Sequence, residues 1–110
     1  MQHWNLMELN APDGTRDPIV LHSDDGARAV LIVLQAGQRL GEHQVKENAW
    51  ITVLEGEVVV TVGGESTTCA AGTMVRFDPD ERHALESEDG ARVLIVLAPW
   101  PGDGHYRGSR

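Results

Sequence analysis

Short apolar stretches broken by glycine and acidic residues recur every eight to twelve positions from about residue 19 to residue 98, a rhythm that belongs to all-β sandwiches and barrels. It predicts strands over 19–22, 28–36, 50–54, 57–62, 65–70, 73–77, 82–86 and 91–98. The segments between them carry turn chemistry. Asp24-Asp25-Gly26, Glu55-Gly56, Gly63-Gly64 and Glu88-Asp89-Gly90 each supply a glycine where a tight reversal needs a positive φ. Gly63-Gly64 is the strongest hairpin signal among them. On its first arm Val58, Val60 and Val62 fall on one face and Glu57, Val59 and Thr61 on the other, so one face of that ribbon belongs to a core.

Two segments break the alternation. Ala29–Leu34 and Val93–Ala98 are apolar at every position, so both faces of each strand call for burial. A small barrel buries only its inner face, and the outer one needs a cover. The segment Trp4–Leu9 is expected to form a short N-terminal helical turn that lays Trp4, Leu6 and Leu9 over part of it, and a second copy of the chain is expected to cover the rest as a homodimer. The chain then divides into an N-terminal cover segment, residues 1–18, a barrel, residues 19–98, and a tail, residues 99–110. The tail is rich in proline and glycine but carries Trp100 and Tyr106, one or other of which is expected to dock on the barrel as packing.

Composition narrows the partners. At 110 residues, 41% hydrophobic and 24% charged, the chain suits one soluble domain with its own core. Seventeen acidic against nine basic residues leave a net charge of −8, which repels phosphate backbones and anionic lipid alike, so neither nucleic acid nor membrane is expected as a partner. A single cysteine, Cys69, excludes an internal disulfide and a thiolate metal cluster, and its alternating strand reads as a buried, inert thiol. No run approaches the roughly 18 apolar residues of a membrane span, and His3, Trp4, Asn5 and Glu8 do not read as a signal peptide. The expected location is cytoplasmic.

The chemistry centres on two histidines. Gly37-Gln38-Arg39-Leu40-Gly41-Glu42-His43, followed by Ala49-Trp50-Ile51-Thr52-Val53-Leu54-Glu55-Gly56, resembles the first motif of the cupins: glycine, five residues, His, one residue, His, three or four residues, Glu, six residues, glycine. Gly72 to His83 resembles the second motif, with the glycine-to-histidine distance of eleven kept and the proline one place late. The resemblance implies a small single-domain cupin of the RmlC-like kind. Its fold would be a double-stranded β-helix, the jelly-roll barrel, with a pocket at one mouth.

In a metal-binding cupin, two His and a Glu of the first motif and a His of the second converge inside the barrel. This chain keeps His43 and His83 in two of those places, whereas Val45 and Ala49 stand in the other two. Aliphatic side chains donate no lone pair, and metal centres normally use three or four protein ligands. The nearest replacement is Glu47, on a loop that is free to re-aim it, giving a His43, Glu47, His83 set like the two-His, one-carboxylate triad of non-haem iron sites.

Two readings give the barrel interior a function, beside a purely structural one in which side chains fill the cavity and the protein acts through its dimer surface. In the first, the protein binds a small molecule in a greasy cavity lined by Val45, Ala49, Ile51, Val53, Val75, Phe77 and Leu85, with a degenerate metal site or none. In the second, it is a metal-dependent cupin enzyme of dioxygenase, isomerase or decarboxylase type, holding iron, manganese, nickel or zinc on His43, His83 and Glu47. Arg39 and Arg76 are expected in solvent, and Trp50 in packing, because alternation turns Arg76 and Trp50 away from the cavity.

Overall fold

The structure is a computed structural model that describes residues 1–10 and 18–102. Among these residues eight strands form in chain order: β1 (Ile19–Ser23), β2 (Arg28–Leu34), β3 (Arg39–His43), β4 (Asn48–Val62), β5 (Glu65–Ala70), β6 (Met74–Phe77), β7 (His83–Glu86) and β8 (Ala91–Ala98). All pairings are antiparallel. The main path runs β1-β2-β8-β4-β7-β3, and β5 and β6 both pair with β4. β4 is the hinge of the architecture: its first half pairs β8 and β6, its second half β5 and β7. The sheet thereby curls around one core, in keeping with the barrel that the strand rhythm predicts and the jelly roll that the cupin resemblance implies.

The length of β4 differs from the expectation of a turn at Glu55-Gly56. The register against β8 slips between Val53 and Glu55, and Gly56 has φ 80°. A left-handed glycine beside an extra residue is a bulge, which bends a strand without ending it. Space enforces the glycine too, because a Cβ on Gly56 would lie 2.2 Å from the carbonyl oxygen of Gly90. Gly63 and Gly64, by contrast, do make the two-residue hairpin between β4 and β5, with φ 58° and 86° and Val62 opposite Glu65. Two positive φ values in succession are what a type I′ turn needs. β3, which the apolar rhythm passes over, forms in the first motif and pairs with β7.

The inner face is built in rows across the sheet. Arg28, Leu97, Ala49 and Phe77 are successive register partners on β2, β8, β4 and β6; Val30, Ile95, Ile51 and Val75 form the next row inward, and Ile32, Val93 and Val53 the row after that. The inner rows, with Leu34, Val58, Val60, Cys69 and Leu85, make the core cluster. β2 is buried on both faces over Val30–Ile32, and Leu31, which faces outward, is 0% exposed.

The N-terminal segment makes one hydrogen-bonded turn, Glu8 N–H to the Asn5 carbonyl, and among the described residues no helix forms. Buried Arg92 on β8 ties that segment down, donating to the carbonyls of Leu6 (2.9 Å) and Leu9 and to the Asn10 side chain (3.4 Å). Leu6 and Leu9 become half-buried, while Trp4 stays exposed. At the other end, Gly102 is buried and its N–H donates to Glu47 Oε2 at 2.7 Å. Trp100 is half-buried beneath the Arg28 guanidinium, as expected of a docked tail; Tyr106 lies outside the described residues. No helix among the described residues is long and apolar enough to cross a membrane.

Candidate functional site

His43 ends β3 and His83 opens β7, and the two are register partners. The register shifts between Leu40 and His43; His43 comes to line the barrel mouth, while Glu42 reaches out to Arg82 at 2.9 Å. The rings meet edge to face, centroids 4.3 Å apart and planes at 61°. His83 is also stacked on Phe77 at 3.9 Å. The charged loop before it braces the site: Asp80 donates its N–H to the Val45 carbonyl (2.7 Å) and pairs with Lys46 (2.8 Å), which holds the segment carrying Val45 over the mouth.

One nitrogen of each ring is committed to the backbone. Nδ1 of His43 lies 2.8 Å from the Gly41 carbonyl oxygen and Nδ1 of His83 lies 3.0 Å from that of Glu81. A carbonyl only accepts, so Nδ1 carries the hydrogen in both rings, and in a neutral ring the lone pair sits on Nε2. Burial pushes the His83 pKa below the ordinary 6.5; the Glu81 carbonyl opposes this and the nearby His43 reinforces it. His83 therefore presents an acceptor.

Beside the pair lies a cavity of about 180 Å³ open to solvent. Val30, Ile32, Val45, Ala49, Ile51, Ile95 and Leu97 give it an aliphatic wall, with Pro18, Arg28 and the two histidines completing the lining. Of the residues expected there from alternation, Val45, Ala49 and Ile51 are in place. Val53, Val75, Phe77 and Leu85 are not in the lining; they belong to the core or pack against it. Val53 sits one row deeper than Ile51, Val75 and Phe77 lie across β4 from the cavity, and Leu85 is two residues further along β7 than His83. Alternation fixes the face of a residue but not its depth. Arg28 was missed because it is charged, yet it shares the parity of Val30 and Ile32 on one strand, and that was the available signal.

Glu47 does not join the histidines. Its side chain is fully buried, bound to the Gly102 N–H, beside a separate surface hollow lined by Asn48, Pro79 and Pro99. Among the described residues no group of three or more His, Cys, Asp or Glu side chains is placed to hold a metal ion. Among the described residues the donors do not fit the metal centre of the fold: two imidazoles line the cavity without a third donor, the two remaining positions are aliphatic, and a guanidinium lines the same cavity, which repels a cation. Trp50 and Arg76 lie outside as expected, the guanidinium 5.6 Å above the indole and paired with Asp78. Arg39 is exposed, and His22 pairs with Asp24 on the surface at 2.9 Å.

A jelly-roll barrel with an apolar pocket and two histidines at its mouth defines the class. The family model described as "Cupin domain" matches residues 30–98, and the chain belongs to that family. Solved structures share the fold. An RmlC-like cupin protein from Desulfovibrio desulfuricans is 24% identical, with a TM-score of 0.81 over 90% of this chain and 97% of its own. The TT1209 protein from Thermus thermophilus is 27% identical, with a TM-score of 0.79 over 90% and 98%. A cupin superfamily protein from Desulfitobacterium hafniense is 15% identical, with a TM-score of 0.78 over 84% and 85%. No curated protein matches the chain in sequence.

Proposed function

We propose that this cupin is a small-molecule-binding protein whose ligand occupies the mouth of the barrel. The observation that carries the reading is the aliphatic cavity of about 180 Å³ with polar groups, His43, His83 and Arg28, confined to a few points of its lining. Binding sites for small molecules share that make-up: mostly apolar walls and a small number of placed polar groups. A metal-dependent enzyme is the weaker reading, since Val45 and Ala49 line the cavity where two further donors would stand. The proposal includes a homodimer. Val33, Trp50, Leu94 and Val96, outward on β2, β4 and β8, are only half-buried, and Met74 beside them is 61% exposed, so apolar surface is there for a second copy to cover. Light scattering, expected at twice the monomer mass, reads it directly.

The test is a fragment screen by protein-observed NMR on the wild-type chain and on Ala49→Trp, which fills the mouth. Fragments that shift the methyls of Val45, Ile51 and Ile95 in the wild type and not in the variant support the reading. A cavity that takes no fragment overturns it.

A further inference from the structure

Among the described lining residues of the cavity, Arg28 is the one with a permanent charge. It stands in the row nearest the mouth, level with Leu97 and Ala49 on the two adjoining strands. Its guanidinium is held in place: Nη1 lies 3.3 Å from the Ser23 hydroxyl, and the guanidinium carbon sits 4.9 Å from the Trp100 ring centroid. Among the described residues no carboxylate forms an ion pair with it, and none lines the cavity.

We propose that the mouth takes a small organic monocarboxylate, its apolar body on Val30, Ile51 and Ile95 and its carboxylate on the Arg28 guanidinium. This rests on the small-molecule reading above and specifies the ligand class.

Three arguments support it. A guanidinium is a planar fork of N–H donors that matches a carboxylate in two parallel hydrogen bonds, and a fork already stacked on an indole loses little freedom on engaging one. His83 does not compete for the head group: with Nδ1 given to the Glu81 carbonyl, the neutral ring offers a lone pair at Nε2, which opposes a carboxylate and suits a hydroxyl or N–H elsewhere on the ligand. Size sets the body. A dry protein cavity of about 150 Å³ accommodates benzene, so about 180 Å³ takes a chain or ring of roughly six to eight carbons. Adjacent strands lie about 4.8 Å apart, so the row from Arg28 on β2 to Ala49 on β4 spans about 10 Å, enough to lay such a body across Leu97 with its head at Arg28.

The experiment uses matched probes, hexanoate against hexanamide and benzoate against benzamide, titrated into the wild-type chain by calorimetry and NMR at pH 7.5, and then into Arg28→Gln. Each acid is expected to bind about ten-fold or more tighter than its amide. Arg28→Gln is expected to bring acid and amide within about two-fold of each other while leaving the amide where it was. The wild-type comparison stands by itself should the variant fail to fold. Amides that bind as well as acids overturn the ligand class but not the cavity, and make Arg28 a clamp for Trp100. Four probes that all fail to shift Val45, Ile51 and His83 overturn the class and the cavity reading together.

Discussion

His83 lies flat on Phe77, ring centroids 3.9 Å apart and planes 2° from parallel, and meets His43 in an inclined ring contact. An imidazole clamped between two rings and 2% exposed has lost most of the water that would stabilise its charge.

That burial links stability to pH. The folded His83 has a pKa below 6.5 and the unfolded one returns to it, so below 6.5 the unfolded chain takes up a proton that the fold refuses. The contribution of His83 is present in full above about pH 6.5 and is lost as the pH falls, at no more than about 1.4 kcal/mol per pH unit. Urea unfolding at pH 7.5, 6.0 and 5.0 should give a slope that His83→Gln flattens, and equal slopes would refute the linkage. Asp24 acts elsewhere: its hydrogen bonds to His22 and to the Gly26 and Ala27 amides hold it at about 2, so its contribution is intact above its usual 3.8 and goes only as the pH falls toward 2.

Gly56 and Gly37 share φ 80° but not surroundings. Nothing lies within 4 Å of a Cβ on Gly37, whereas one on Gly56 meets the Gly90 carbonyl at 2.2 Å. Gly37→Ala should cost about 1 kcal/mol, the ordinary cost of a left-handed alanine, and Gly56→Ala about 3 kcal/mol or more, because backbone on β8's approach must move as well. Urea midpoints with unchanged slopes compare the two; similar losses would mean that the bulge yields.

These elements also mark what a sequence can reveal. The Val58, Val60, Val62 face and the Gly63-Gly64 turn are local, a period of two and two residues of fixed conformational demand, and both form as read. β3 has one apolar residue, Leu40, among Arg39, Gly41, Glu42 and His43, so its pairing with β7 leaves no hydrophobic trace. Gly56 has the same identity whether it turns a chain or bulges a strand, and only the nearness of Gly90, thirty-four positions away, decides. The motif spacing located His43 and His83, but the aim of Glu47 depends on where Gly102 folds back, and the depth of Val53 and Leu85 on how the sheet curls.

Arg92 is the anchor of the N-terminal segment. A buried guanidinium bonded to two carbonyls holds that segment against the outer face of β8, and hydrogen bonds to a charged group contribute roughly 1.5–3 kcal/mol each. Arg92→Ala should lower stability by about 3 kcal/mol and open Trp4–Leu9 to chymotrypsin before the barrel unfolds. Protection that is unchanged in the variant would show that Leu6 and Leu9 hold the segment by packing alone.

The final prediction concerns metal. If His43 and His83 are a remnant that lacks donors, supplying them should restore a centre, and the positions are known because Val45 and Ala49 line the same cavity as both rings. Wild-type protein purified without chelator should carry far less than one equivalent of zinc or nickel, with no change in melting temperature on adding EDTA. The double variant Val45→His, Ala49→Glu should bind close to one equivalent, since three nitrogens and a carboxylate meet the usual ligand count. Glu47→Ala should leave that binding unaltered, because Glu47 is engaged with Gly102 outside the cavity. Arg28 shares a row with Ala49, two strands away, so its charge opposes the cation, and adding Arg28→Gln to the double variant should tighten it further. A full equivalent of metal on the wild type, lost in His83→Ala, would defeat this account and return the enzyme reading to first place.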